Sequence, residues 1–162
     1  MLGMSLPAFT LLHVLISLVG IATGLVWLLA YIKGTWRPVW AIAFLLTTIA
    51  TSATGFLFTT PTFSPAKVVG VISLVVLAVA LVVVVFVGLR GRWRALFLVT
   101  ATMGLYLNLF VLVVQAFQKL PPLHALAPKG GEPPFAVVQG ALLIAMIALG
   151  FLAVRRGKAW PL

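Results

Sequence analysis

The run VVGVISLVVLAVALVVVVFVGL, residues 68–89, decides which folds are open to this chain. It contains no charged side chain, and its polar content is limited to Ser73 and the backbone of two glycines, Gly70 and Gly88. About 20 consecutive apolar residues coiled as an α-helix span about 30 Å, the thickness of a bilayer's hydrocarbon core. A barrel strand would be about 10 residues long and would alternate polar and apolar side chains. Neither feature is present, and only a helix satisfies its own backbone groups in lipid.

Four more runs of this kind lie outward from it, at about Ala8–Ile32, Val39–Phe58, Ala95–Phe117 and Phe135–Val154. Of the 162 residues, 64% are hydrophobic and 7% are charged. A soluble domain carries roughly 25% charged residues, so this chain has too few to cover itself in water. The expected fold is all-α: a polytopic membrane protein with five transmembrane helices in one bundle, residues 1–162 forming a single domain. No linker is long enough to separate domains, and no internal repeat is visible. Residues 1–7, MLGMSLP, have no basic segment, and the following run exceeds the ~7–15 residues of a signal-peptide core. It is read as a retained first span.

Eleven Lys and Arg against one acidic residue give a formal charge of +10. No basic stripe with interleaved aromatics lies outside the apolar runs, so nucleic acid is not an expected partner. The cations instead flank the spans unevenly. Lys67, Lys119 and Lys129 fall on one side; Lys33, Arg37, Arg90, Arg92, Arg94, Arg155, Arg156 and Lys158 fall on the other. Lys and Arg are enriched in cytoplasmic loops, which puts the N-terminus outside and the C-terminus inside. Trp27, Trp36, Trp40, Trp93 and Trp160 lie at or near the cytoplasmic ends, where an indole can bury its ring and wet its N–H. The basic turn GLRGRW, residues 88–93, suits anionic lipid headgroups. Membrane lipids are the expected partners, with a second copy or another membrane protein as further partners.

Polar side chains are placed as selectively as the charges. His13, Ser17, Gly20, Gly24 and Tyr31 share one face of the first span, and GIATG (20–24) is a small-xxx-small pair that admits a neighbouring helix backbone. Thr47, Thr48, Thr51, Ser52, Thr54 and Gly55 fill a face of the second; Thr100, Gly104, Asn108, Gln115 and Gln118 share a face of the fourth. Gln139 lies near the start of the fifth. Lipid penalises such groups unless they meet partners, so these faces should point into the bundle. Most belong to the outer half of the membrane. Above them lies KLPPLHALAPKGGEPPF (119–135), with five of the ten prolines, His124, and the only acidic residue, Glu132.

The candidate ligand-binding set is therefore His13, Ser17, Ser52, Asn108, Gln115, Gln118, His124, Glu132 and Gln139. No catalytic residue is assigned. Cysteine is absent, which removes disulfides, thiolate ligands and a thiol nucleophile. His13, His124 and Glu132 are the whole inventory for a metal, and no HExxH spacing organises them. Bis-histidine haem ligation would require His124, a loop residue, to match His13 in depth. A transmembrane proton relay lacks its carboxylates, and no spacing favours a Ser–His–acid triad.

Two stretches, LHVLISLVGIATG (12–24) and GLYLNLFVLVVQAFQKLPPLHALAP…EPPF (104–128 and 132–135), resemble those of a group of small bacterial multi-pass membrane proteins of no assigned activity. The likeness is most specific at Tyr106, Asn108, Gln115, Ala127, Pro128, Glu132, Pro133 and Pro134. In that group a short polar run precedes EPPF; here Lys129-Gly130-Gly131 stands in its place. The resemblance implies a bacterial inner-membrane location and no particular activity.

The leading expectation is a non-enzymatic membrane protein that binds or passes a small lipid- or quinone-like molecule in an outer-half pocket capped by the 118–134 loop. No cofactor is expected in that reading. One alternative is a haem- or quinone-associated redox subunit using His13 with His124 or Glu132. Another is a structural or assembly partner in a membrane complex. The loop is expected to fold over the helix ends, burying Leu120, Leu123, Leu126 and Phe135. Glu132 would then reach Gln115, Gln118, Lys119 or His13, or pair with Lys129.

Overall fold

The computed structural model describes residues 3–58 and 64–156. All regular structure among them is helical: α1 Leu6–Ile32, α2 Pro38–Gly55, α3 Pro65–Val82, α4 Gly91–Lys119, α5 Pro121–Leu126 and α6 Pro133–Arg156. Five of these, α5 excepted, are long and apolar enough to cross a membrane. The second, third and fifth long helices begin at prolines one to three residues before the apolar runs do, because proline's fixed φ and missing N–H suit the first helical turn. Ser64 caps α3, its Oγ accepting from the Lys67 N–H at 3.3 Å. Beyond Val82 the helix widens into a π-turn, Val83–Val87. It ends at Gly88, whose φ of 88° is a left-handed conformation that glycine adopts without steric cost. The short α5 within the 118–134 loop was not expected from the sequence.

Helix α2 packs between α1 and α3, and α4 packs on α3 while also reaching α1 and α2. Helix α6 lies against α4 and α1. The core therefore centres on α4, with Phe97, Leu98, Ala101 and Leu105 enclosed between Trp27, Leu28, Phe44, Leu45 and Leu77. The outward faces remain apolar: Phe86 is 80% exposed and Ile144 70%. In water such surface would be costly; lipid solvates it.

Glycines set the closest approaches. A Cβ on Gly24 would stand 2.7 Å from Phe44 Cδ2 and 2.8 Å from Leu105 Cδ1, and one on Gly104 2.7 Å from Leu77 Cδ2. A Cβ on Gly20 would meet Thr48 Oγ1 at 2.9 Å. The GIATG pair thus admits neighbouring side chains, a phenyl ring above all, where the sequence suggested a neighbouring backbone.

The end of the bundle formed by the close of α1 and α6 and the start of α2 and α4 is aromatic and basic. Trp27 stacks on Phe44 (centroids 5.7 Å, planes 4° apart) and meets Phe97 edge-on at 5.5 Å. Tyr31 and Phe97 both meet Trp36 edge-on. The expectation of a wetted indole fails for Trp27, which is fully buried with Nε1 unpartnered. Its ring is enclosed by Phe44 and Phe97, so packing claims it before the interface can. Trp40 and Trp93 are exposed as expected, and Trp160 lies outside the described residues. Arg94 ties this end together, donating from Nη2 to the Val154 carbonyl at 3.1 Å and from Nη1 to the Tyr31 hydroxyl at 3.4 Å. Among the described cations, Lys33, Arg37, Arg90, Arg92, Arg94, Arg155 and Arg156 lie at this end, and Lys67, Lys119 and Lys129 at the other. Lys158 lies outside the described residues, as does most of the 59–67 loop.

Candidate functional site

At the opposite end, the start of α1 and α6 meets the close of α2 and α4, and most of the polar side chains of the bundle collect there. His13 and Ser17 are one turn apart on α1 and so share a face. His13 Nδ1 lies 2.8 Å from Thr54 Oγ1 on α2. Its ring meets Phe58 edge-on at 5.1 Å, and Phe58 in turn packs on the buried Phe9. Ser17 donates from Oγ to Asn108 Oδ1 on α4 at 2.8 Å, and the Asn108 amide donates back to the Ser17 carbonyl at 3.4 Å. Gln139 donates from Nε2 to the Phe110 carbonyl at 3.1 Å, pinning α6 to α4. Three threonines of α2, Thr47, Thr51 and Thr54, return their hydroxyl protons to carbonyls one turn back. Thr48 does not: its buried Oγ1 faces Gly20 without a hydrogen-bond partner.

These contacts divide the candidate set. Ser17, Asn108 and Gln139 are committed to other helices, and Asn108 is buried. Ser52 and Gln115 are partly buried on their helices. Gln118 and His124 line a separate cavity of about 120 Å³, bounded also by Phe117, Ala127, Lys129 and Phe135. Ligand pockets typically hold about 300–1,000 Å³, so this space fits an end group only. Of the nine residues, this cavity takes in Gln118 and His124. His13, His124 and Glu132 are not brought together as a metal-binding group among the described residues.

The loop does return onto the bundle, though differently from expectation. α5 contacts α4, Ala127 is buried, and Phe135 meets Phe117 edge-on at 5.4 Å. Leu120 and Leu126, expected to be covered, are more than half exposed. Glu132 does not reach Gln115, Gln118, Lys119 or His13. Its Oε1 accepts from the Lys129 N–H at 2.8 Å and its Oε2 from the Gly131 N–H at 3.0 Å. The cause is local. Glu132 precedes α6, where an acidic side chain would ordinarily cap forward, but Pro133 and Pro134 remove two of the first three forward amides. The nearest free amides lie behind it, in the Lys129-Gly130-Gly131 turn that Gly130 closes at φ 73°. The Lys129 N–H, more than any other group, holds the Glu132 carboxyl below the usual carboxylate range. It outweighs an opposing effect of burial and is helped by the amides of Glu132 itself, Gly131 and Gly130.

Sequence reasoning missed Arg94 as a clasp between helices. Its signal was available: of the three arginines at this turn, Arg94 lies deepest toward the apolar run, three residues into a helix, and has the fewest ways to stay hydrated.

The fold defines a class: among the described residues all regular structure is helical, with five helices long and apolar enough to cross a membrane. Comparisons with protein-family models, curated proteins and solved structures give no match.

Proposed function

We propose that this chain is an integral membrane protein of the bacterial inner membrane, with its N-terminus outside and its basic end in the cytoplasm. Its function in this reading is to bind a small amphipathic molecule, lipid- or quinone-like, at the polar end. The observation that carries this is His13. It is a half-buried imidazole inside a long apolar helix, set against Thr54 and Phe58, one turn from the Ser17–Asn108 pair. Intramembrane ionisable residues are costly and mark sites more often than they mark packing. The 120 Å³ cavity beneath the loop supplies room for a head or end group near the same end. The basic opposite end, its clasp Arg94 apart, suits anionic headgroups and a cytoplasmic location.

Native mass spectrometry of the detergent-extracted protein tests this. A small amphiphile should stay bound to the wild type and be lost from His13→Leu, with the fold intact by circular dichroism. Retention of the same adduct by both proteins would remove His13 from the site.

A further inference from the structure

The two ring nitrogens of His13 are not equivalent, and Thr54 decides which one carries the proton. Thr54 Oγ1 lies 2.7 Å from the Ala50 carbonyl oxygen and 2.8 Å from His13 Nδ1. Electronegative atoms approach this closely when a proton lies between them. The Ala50 carbonyl has no proton to give, so the single hydroxyl proton of Thr54 is directed to it, shared with the Thr51 carbonyl at 3.1 Å. The contact with His13 must then use a proton from the imidazole, and Nδ1–H is the donor. In the neutral ring Nε2 is consequently a bare acceptor. Among the described residues no group bonds Nε2, and it is not one of the buried unpartnered atoms. The Nδ1–Cε1 edge lies along α2, with Cε1 3.8 Å from where a Gly55 Cβ would stand.

We infer that His13 Nε2 accepts a hydrogen bond from a hydroxyl of the bound amphiphile. The ligand class is therefore an O–H donor at membrane depth, either an aromatic diol such as a quinol or a hydroxylated lipid headgroup. A quinone carbonyl or an ether in the same place would set lone pair against lone pair. Accommodating it by moving the ring proton would break the Thr54 contact. Thr54 is a positioning residue: it holds the tautomer and the ring without touching the ligand. This inference rests on the reading that the polar end binds an amphiphile.

The test uses ¹⁵N-histidine-labelled protein in phosphatidylcholine nanodiscs, above the imidazole titration range. Nδ1 should be protonated and Nε2 not. The probes are a short-chain quinol kept anaerobic, its oxidised quinone, its dimethyl ether, and nanodiscs containing phosphatidylglycerol. The donor-bearing ligand should shift Nε2, and the quinol, if it is the ligand, should bind at least about tenfold tighter than quinone or ether. Whether quinol or phosphatidylglycerol produces the shift identifies the source of the hydroxyl. Thr54→Val should mix the tautomers and weaken binding about tenfold, and Thr54→Ser should restore both. A protonated Nε2 in the unliganded protein would overturn the inference. So would quinone or ether binding as tightly as the diol, and that result would leave the ligand-binding reading standing. If no probe moves any polar-end signal, the ligand-binding reading itself fails and the inference with it.

Discussion

Ser17 and Asn108, 91 residues apart in sequence, exchange hydrogen bonds across the α1–α4 interface, hydroxyl to amide oxygen at 2.8 Å and amide nitrogen to backbone carbonyl at 3.4 Å. In lipid neither residue has water as an alternative, so the pair fixes the rotation of both helices. Asn108→Leu should cost about 1 kcal/mol in a detergent unfolding titration, near the low end for a buried polar deletion because Ser17 can turn its hydroxyl back to its own helix. Ser17→Ala should cost less than Asn108→Leu, and the double variant should cost no more than Asn108→Leu alone. Additive losses would mean that the pair does not act as a unit.

Gly24 faces Phe44 and Leu105 at distances that leave no room for a Cβ. Gly24→Leu should destabilise by about 1–3 kcal/mol, lowering the thermal midpoint by several degrees. Near-ultraviolet circular dichroism should change with it, because the Trp27–Phe44 stack lies against the same glycine. A wild-type melt would place this face toward lipid.

Arg94 holds the Val154 carbonyl and the Tyr31 hydroxyl, joining α4 to α6 and α1. Arg94→Met should release the C-terminal turn of α6. Losing charged hydrogen bonds of this kind costs about 1.5–3 kcal/mol. Hydrogen exchange should quicken at residues 151–156 before it quickens in α2 or α3. Uniform loosening, or none, would contradict the clasp.

Glu132 has its carboxyl held below the ordinary range, first by the Lys129 amide. A depressed acid contributes order that is fully present above its unfolded-state value and is lost as pH falls through the folded one. Exchange protection at Lys129 and Gly131 should therefore persist through the usual glutamate range and disappear only below it. Glu132→Ala should lack this protection at every pH. Bundle stability should change little in either case, since the carboxylate is bonded only within its loop.

Much of this was legible in the sequence, for physical reasons. Five long apolar helices follow from five runs that water cannot solvate, and the faces carrying His13, Ser17 and Asn108 follow from helical spacing and lipid's intolerance of unmet polar groups. The pairings were not legible. That His13 meets Thr54 while Ser17 meets Asn108 depends on how far each helix is rotated, which Gly20 and Gly24 set through close contacts no single span reveals. Glu132 was misplaced for the opposite reason. Its scarcity suggested a long-range partner, whereas two prolines ahead and two glycines behind already confined it to its own turn. The Trp27 environment was hidden in the same way, since composition places an indole at an interface and only packing moves it inside.

Orientation is testable separately from the site. Reporter fusions should place Gly91 in the cytoplasm and Gly130 outside, following the bias of eight cations against three. A cytoplasmic Gly130 would invert the bundle and put the ligand end on the inner leaflet.

Photo-crosslinking tests the central claim, a ligand at the polar end, most directly. A diazirine-bearing hydroxylated amphiphile is activated on the wild-type protein in nanodiscs, and the adducts are mapped by peptide mass spectrometry. Adducts should concentrate at residues 9–17 of α1 and at 51–58, the close of α2 and the turn after it, with a lesser share at 114–128, and should fall on competition with the unlabelled compound. Labelling spread along the exposed faces of α3 and α6, undiminished by competitor, would show an amphiphile dissolved in the surrounding lipid and no site.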